Sequence, residues 1–184
     1  LEETVDLPGF GTVSYDLGYG GAYYAIVKAT SLGLDFYETP IKKLTEAAIE
    51  LTNTLRKTRS INHPHEQDLG FLYGTIITDE TSIKNGTTKN LCVFGDGQID
   101  RSPTGSGVCA RMAVDFAKGE IDKHQTRQFA GVSGIPFEAQ IVSDSSRGVI
   151  VRVSGDSFYS GTAEFVVEDL DSLRWGFSLP TIFG

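Results

Sequence analysis

Phe94-Gly95-Asp96-Gly97-Gln98-Ile99-Asp100-Arg101-Ser102-Pro103-Thr104-Gly105-Ser106-Gly107-Val108 runs from the end of an apolar segment, through a polar turn, into glycines at the mouth of a helix. Beyond it, Val108, Met112, Ala113, Phe116 and Ala117 recur at helical spacing up to Gly119, placed as the C′ glycine. This helix is expected to begin directly after Thr104-Gly105-Ser106-Gly107. At a helix mouth three or four backbone N–H groups have no intrahelical partner, and such a place holds anions. Each charge-assisted N–H bond to a carboxylate is worth ~1.5–3 kcal/mol, and the helix dipole adds ~0.3–2 kcal/mol. Glycine keeps a Cβ out of the ligand's path. A bare Thr-Gly-Ser-Gly is also served by a tight turn whose Asp or Ser caps the helix. Gly105 to Ala110 fits GxGxxA as well, but these glycines follow a polar turn rather than a strand and no βαβ unit follows, which sets dinucleotide binding aside.

Outward from this stretch, strands dominate. Val13, Tyr15 and Leu17 alternate with Thr12, Ser14 and Asp16 as in a half-buried strand, and residues 22–29 follow the break Gly18-Tyr19-Gly20-Gly21, so the chain opens as a meander. Ile41, Leu44, Ala48, Leu51 and Leu55 are spaced 3, 4, 3 and 4, which predicts a helix with one buried face, Thr39 its N-cap and Pro40 its first residue. The polar stretch 60–68 is a loop leading into a strand at 71–78, and a hairpin through Asn85-Gly86 returns as a strand at 90–94. From Gln125 onward only strands are expected, at 137–142, 148–153 and 162–167, each β-branched or aromatic and bounded by Gly, Ser or Asp. Two helices against many strands make an α+β chain, and no repeat, linker or low-complexity segment divides it.

Composition narrows the partners. Sixteen Lys and Arg stand against 24 Asp and Glu in 184 residues, a formal charge of −8, with no basic cluster longer than a dipeptide. Such a surface offers no footprint for phosphate backbones or anionic lipid, so nucleic acid and membrane are not expected partners. The longest apolar run, 22–27, is far short of the ~20 residues that span a bilayer, and the N-terminus has neither a basic nor an apolar leader region. Cys92 and Cys109 lie in apolar neighbourhoods without ligand spacing and read as buried thiols of a reducing, cytoplasmic compartment. Asn85-Gly86-Thr87 is a sequon, though without a leader the hairpin reading prevails.

Asp100-Arg101-Ser102-Pro103-Thr104-Gly105-Ser106-Gly107-Val108 closely resembles the proline racemase family, in particular its trans-3-hydroxyproline dehydratase branch. The likeness covers nearly all of the chain: VDLPGFGTVSYDLGYGGAYYAIV (5–27), INHPHEQDLGFLYGTIIT (61–78) and YSGTAEFVVEDLDSLRWGF (159–177) look like the family's second half. The resemblance implies a diaminopimelate epimerase-like α+β domain, with mostly antiparallel strands around a central helix plus a second helix. Residues 1–184 then form the second of two similar domains with the active site between them. The first, carrying a cysteine in a Met-Cys-Gly-His type motif, is absent from this sequence.

In the family's racemases and epimerases the position matching Thr104 is a second cysteine, and the two cysteines flank the substrate α-carbon. A thiol of pKa about 8.5 can serve as base or acid there once perturbed, whereas a threonine hydroxyl cannot near neutral pH. With one base left, removing the α-proton and expelling a β-hydroxyl remains feasible. The resemblance therefore implies dehydration of trans-3-hydroxy-L-proline to Δ1-pyrroline-2-carboxylate without metal or organic cofactor. It assigns Thr104 to catalysis, at the departing hydroxyl, and puts the amides of Gly105 and Ser106, with Gly107 beside them, at the substrate carboxylate. Asp100 stands near the ring nitrogen and Phe94 against the ring. The partners implied are a small-molecule imino acid, the missing first domain and a second copy in a homodimer. A proline racemase or 4-hydroxyproline 2-epimerase with a substituted second base, and an isolated non-catalytic domain, stay open as alternatives.

Other residues have plainer readings. Cys109, five residues past Thr104, is assigned to the core, and His63 and His65 with Asp68 to a solvated loop lacking a third metal ligand. His124 is placed at the surface and Asp96 in a turn. Trp175 and Phe177 are expected to pack on the absent domain.

Overall fold

Side-chain alternation at period two builds the sheet of the computed structural model, which describes residues 1–79 and 86–178. Strands β1 (Glu3–Leu7), β2 (Gly11–Tyr19) and β3 (Tyr23–Lys28) form an antiparallel meander. β4 (Leu72–Thr78) joins β3 in parallel, β5 (Thr88–Phe94) pairs antiparallel with β4, and the short β6 (Gln98–Ile99) folds back on β5. β7 (Thr126–Ala130) pairs with β5 in parallel and leads into antiparallel β8 (Pro136–Ser145) and β9 (Gly148–Ser154). Among the described residues the order is β1-β2-β3-β4-β5-β7-β8-β9, with β6 beside β5. Asn85, in the expected hairpin turn, lies outside the described residues; the antiparallel register on either side reaches the Thr78–Asn90 pair.

Two helices, α1 (Ile41–Thr58) and α2 (Gly105–Ala117), sort the strands' side chains into layers. Ala25 and Val27 of β3, Ile77 of β4, and Leu91 and Val93 of β5 pack with Leu44, Ala47, Ala48, Leu51 and Leu55 of α1. Their neighbours Tyr24, Ile26, Ile76 and Cys92 turn the other way, against Ala110 and Val114 of α2. Phe129, Ala139 and Ile141 of β7 and β8 then close on Val108 and Met112 along the opposite flank of α2. Each fully buried Leu or Ile here contributes roughly 1.5–3 kcal/mol. The result is an α+β fold with α2 as the central helix wrapped by sheet and α1 as an outer amphipathic cover.

Several sequence expectations shift. Pro40, not Thr39, is the N-cap of α1: its carbonyl accepts from the Lys43 and Leu44 amides at 2.9 and 3.2 Å, while the Thr39 hydroxyl is taken by the Asp35 N–H in the preceding turn. Ile41 is exposed at the start of that helix. α2 takes Gly105, Ser106 and Gly107 in as its first turn, and Gly119, at φ +71°, lies just past its end. Ala117 is exposed whereas Arg111 and Asp115 are buried, because a helix enclosed on two sides has no single apolar face. Thr162–Val167 is not a strand: Phe165 and Val166 are 89% and 77% exposed, and a β-prone run without a partner strand forms no ladder. Among the described residues no helix is long and apolar enough to cross a membrane.

Candidate active site

Asp100 organises the loop that enters α2. Its backbone N–H donates to the Cys92 carbonyl at 3.0 Å, tying the loop to β5. One carboxylate oxygen accepts from the Ser102 N–H at 2.9 Å and the other from the Thr104 hydroxyl at 3.0 Å. Ser102 in turn accepts the Thr104 N–H at 3.0 Å. Thr104 is the N-cap residue of α2 at φ +69° and ψ +95°, a conformation a β-branched residue rarely adopts. Its carbonyl accepts from the Val108 N–H at 2.7 Å, so the helix begins on it. Its side chain is turned to Asp100 and makes no capping bond, which leaves the first-turn amides uncapped by it.

The first turn of α2 has two sides. A Cβ built on Gly105 meets nothing within 4 Å, so this face is open. Gly107 is buried, and a Cβ there would stand 2.6 Å from Ile76 Cδ1 and 3.0 Å from Thr104 Cγ2; its lack of a side chain lets the turn sit down on β4. Between them, the Ser106 hydroxyl shares a 2.7 Å hydrogen bond with the phenol of Tyr24 on β3. Tyr24 is 1% exposed, and burial pushes its phenol up to about 12, so it stays neutral and fixes the Ser106 rotamer. Tyr24 meets Tyr73 edge-on at 5.5 Å, and Tyr73 stacks on Phe94 at 5.4 Å, an aromatic row drawn from β3, β4 and β5. Phe94 ends that row, half-buried, at the close of β5.

Asp100, Thr104, Gly105, Ser106 and Phe94 thus come from one loop, one helix turn and one strand end that the fold draws together. Tyr24, Tyr73 and Ser102 fall inside the stretches that carry the family resemblance but were assigned no role there; the alternation of β3, which puts Tyr24 on the same face as Ile26, was the one further signal for Tyr24. Cys92 sits beneath the loop, where burial raises its thiol to about 12, with the Thr104 hydroxyl pulling the other way. Cys109 is only half-buried, a departure from the core assignment, with its own thiol raised by burial. It faces Gly20, where a Cβ would meet Cys109 Cβ at 2.7 Å, so it lies under the turn between β2 and β3. His63 uses Nδ1 to accept the Glu66 N–H at 2.9 Å and packs its ring on Tyr19 at 5.2 Å, a loop role. Among the described residues no three His, Cys, Asp or Glu stand close enough to share a metal ion. His124 is exposed and Asp96 lies in the exposed turn between β5 and β6.

A protein-family model described as proline racemase matches residues 1–178. The trans-L-3-hydroxyproline dehydratase of Pongo abelii is 48% identical over 181 residues, covering 95% of this chain and 51% of its own length. The chain therefore spans about half the length of such relatives. A probable proline racemase from Agrobacterium radiobacter K84, solved with bound carbonate, superposes with a TM-score of 0.87 at 23% identity, over 97% of this chain and 53% of that one, a likeness of fold. A hydroxyproline epimerase from Agrobacterium vitis, solved with trans-4-hydroxy-L-proline, gives a TM-score of 0.83 at 25% identity, over 100% of this chain and 54% of that one.

Proposed function

The chain belongs to the proline racemase family, and from that premise we propose that residues 1–184 are the second half of a two-domain enzyme that dehydrates trans-3-hydroxy-L-proline. The amides of Gly105 and Ser106 hold the substrate carboxylate at the open face of α2, Phe94 lies along the ring, and Asp100 faces the cationic ring nitrogen. A cysteine of the other half takes the α-proton. The electron pair of the broken Cα–H bond forms the Cα–Cβ double bond, and the β-hydroxyl departs with a proton as water. The resulting enamine tautomerises to Δ1-pyrroline-2-carboxylate.

Thr104 is the observation that carries this reading. Thr104 is 5% exposed with its hydroxyl bonded to Asp100, and by the family resemblance it stands where the racemases carry a second thiol. An alcohol cannot act as a carbon base near neutral pH, which leaves one base for the α-carbon and favours elimination over inversion. The 48% identity to a dehydratase, against 25% to the epimerase, supports the same choice. The imino acid and the other half of the enzyme are the partners this requires; a homodimer is a further proposal. The direct test incubates the full-length enzyme with trans-3-hydroxy-L-proline and, separately, trans-4-hydroxy-L-proline. Water loss to Δ1-pyrroline-2-carboxylate from the first and little change in the second is expected; epimerisation of the second without dehydration of the first would overturn the reading.

A further inference from the structure

Thr104 sits at an unfavourable backbone angle, and something must keep it there. Its carbonyl is anchored on the helix side by the Val108 N–H. On the other side the plane of the Pro103–Thr104 peptide sets φ, and the backbone leading into that peptide is held at two points. Asn90 of β5, 2% exposed, donates Nδ2–H to the Pro103 carbonyl at 3.3 Å. Its amide cannot turn round, because its oxygen accepts from the Arg111 guanidinium at 3.3 Å, a group with donors only. Arg111 is itself fixed by a 2.9 Å bond to the Thr88 hydroxyl and by lying 4.8 Å over the Phe129 ring. Gly131, like Asn90 one residue past the Lys89–Ala130 pair of β5 and β7, packs its backbone on the same loop beside it: a Cβ there would stand 2.4 Å from the Ser102 oxygen and 3.0 Å from the Pro103 nitrogen.

We infer that Asn90 and Gly131 are positioning residues that fix the place of Thr104 by seating the Ser102–Pro103–Thr104 backbone on adjoining points of β5 and the turn that follows β7. Among the described residues neither makes a hydrogen bond to Gly105 or to the Tyr24–Ser106 pair, so the clamp sets the hydroxyl and leaves the carboxylate amides to other contacts. The kinetic consequence rests on the dehydratase reading; the clamp itself does not.

Three variants of the full-length enzyme test this. Asn90→Asp keeps the volume and the Arg111 contact but turns an oxygen toward the Pro103 carbonyl. Gly131→Ala pushes on the loop beside Asn90 and carries the test if Asn90→Asp does not fold. Leu51→Ala opens a cavity between α1 and the other face of the sheet and leaves this loop alone. The first two are expected to lower kcat by about tenfold or more while the affinity for pyrrole-2-carboxylate stays within about twofold, and Leu51→Ala to lower Tm with kcat within about twofold. Amide hydrogen exchange of residues 102–106 should quicken in the first two and not in the third. Loss of kcat in proportion to loss of Tm across all three, or unchanged exchange in both clamp variants, would overturn the clamp. A parent enzyme without dehydratase activity would instead overturn the dehydratase reading, and the exchange rates would still decide on the clamp.

Discussion

Thr104 is both a functional candidate and a strained residue: a β-branched side chain at φ +69° costs on the order of 1–3 kcal/mol, a cost that persists only where the surroundings over-determine it. Asp100, Ser102 and Asn90 supply that determination. Cys92, beneath the loop, interacts with the Thr104 side chain, but its buried environment denies it a role as base. Its folded value of about 12 lies above the 9.0 of an unperturbed thiol, chiefly through burial. The folded state therefore keeps the proton longer than the unfolded chain does. Stability from the neutral thiol is fully present below pH 9 and is lost as pH rises toward 12. Cys92→Ala has no such contribution, so the gap in Tm between parent and variant should narrow as pH is raised from neutrality into that window. A gap independent of pH would mean that Cys92 is not buried as described.

At the scale of elements, the first turn of α2 joins chemistry to packing, with Gly105 open and Gly107 seated on Ile76. Gly105→Val places a branched side chain over the open face, where it meets nothing in this half. Pyrrole-2-carboxylate binding by the full-length enzyme, measured calorimetrically, is expected to weaken about tenfold or more, as charge-assisted amide bonds are lost, with Tm little changed. Unchanged affinity would put the carboxylate elsewhere. The loop and turn were legible because Asp100 and Thr104 lie four residues apart and bond locally. α1 was legible because one face is buried. α2 hid Arg111 and Asp115 because sheet covers it on two sides, and periodicity reports burial only when one side is wet. Tyr24 and Asn90 escaped because their partners, Ser106 and Pro103, lie 82 and 13 residues away and no local pattern links them. Thr162–Val167 was misread because β-propensity cannot supply a partner strand.

At the scale of the molecule, the chain spans about half the length of its relatives, and on the proposed reading it presents one wall of a cleft. Phe158, Tyr159, Phe165, Leu170, Trp175 and Phe177 are 73–99% exposed along one stretch after β9, uncovered among the described residues. On the proposed reading, each half brings its own group to one face of the substrate α-carbon, and inversion needs a base from both. With Thr104 here, a proton removed by the other half has no acid opposite to replace it. Thr104→Cys in the full-length enzyme supplies that acid at a helix N-terminus, where a thiol's pKa falls. The measurement is chiral chromatography of trans-4-hydroxy-L-proline, which has no β-hydroxyl to expel, after incubation with parent and variant. The variant is expected to epimerise it while the parent does so little or not at all; a parent that epimerises as fast as the variant contradicts the one-base account.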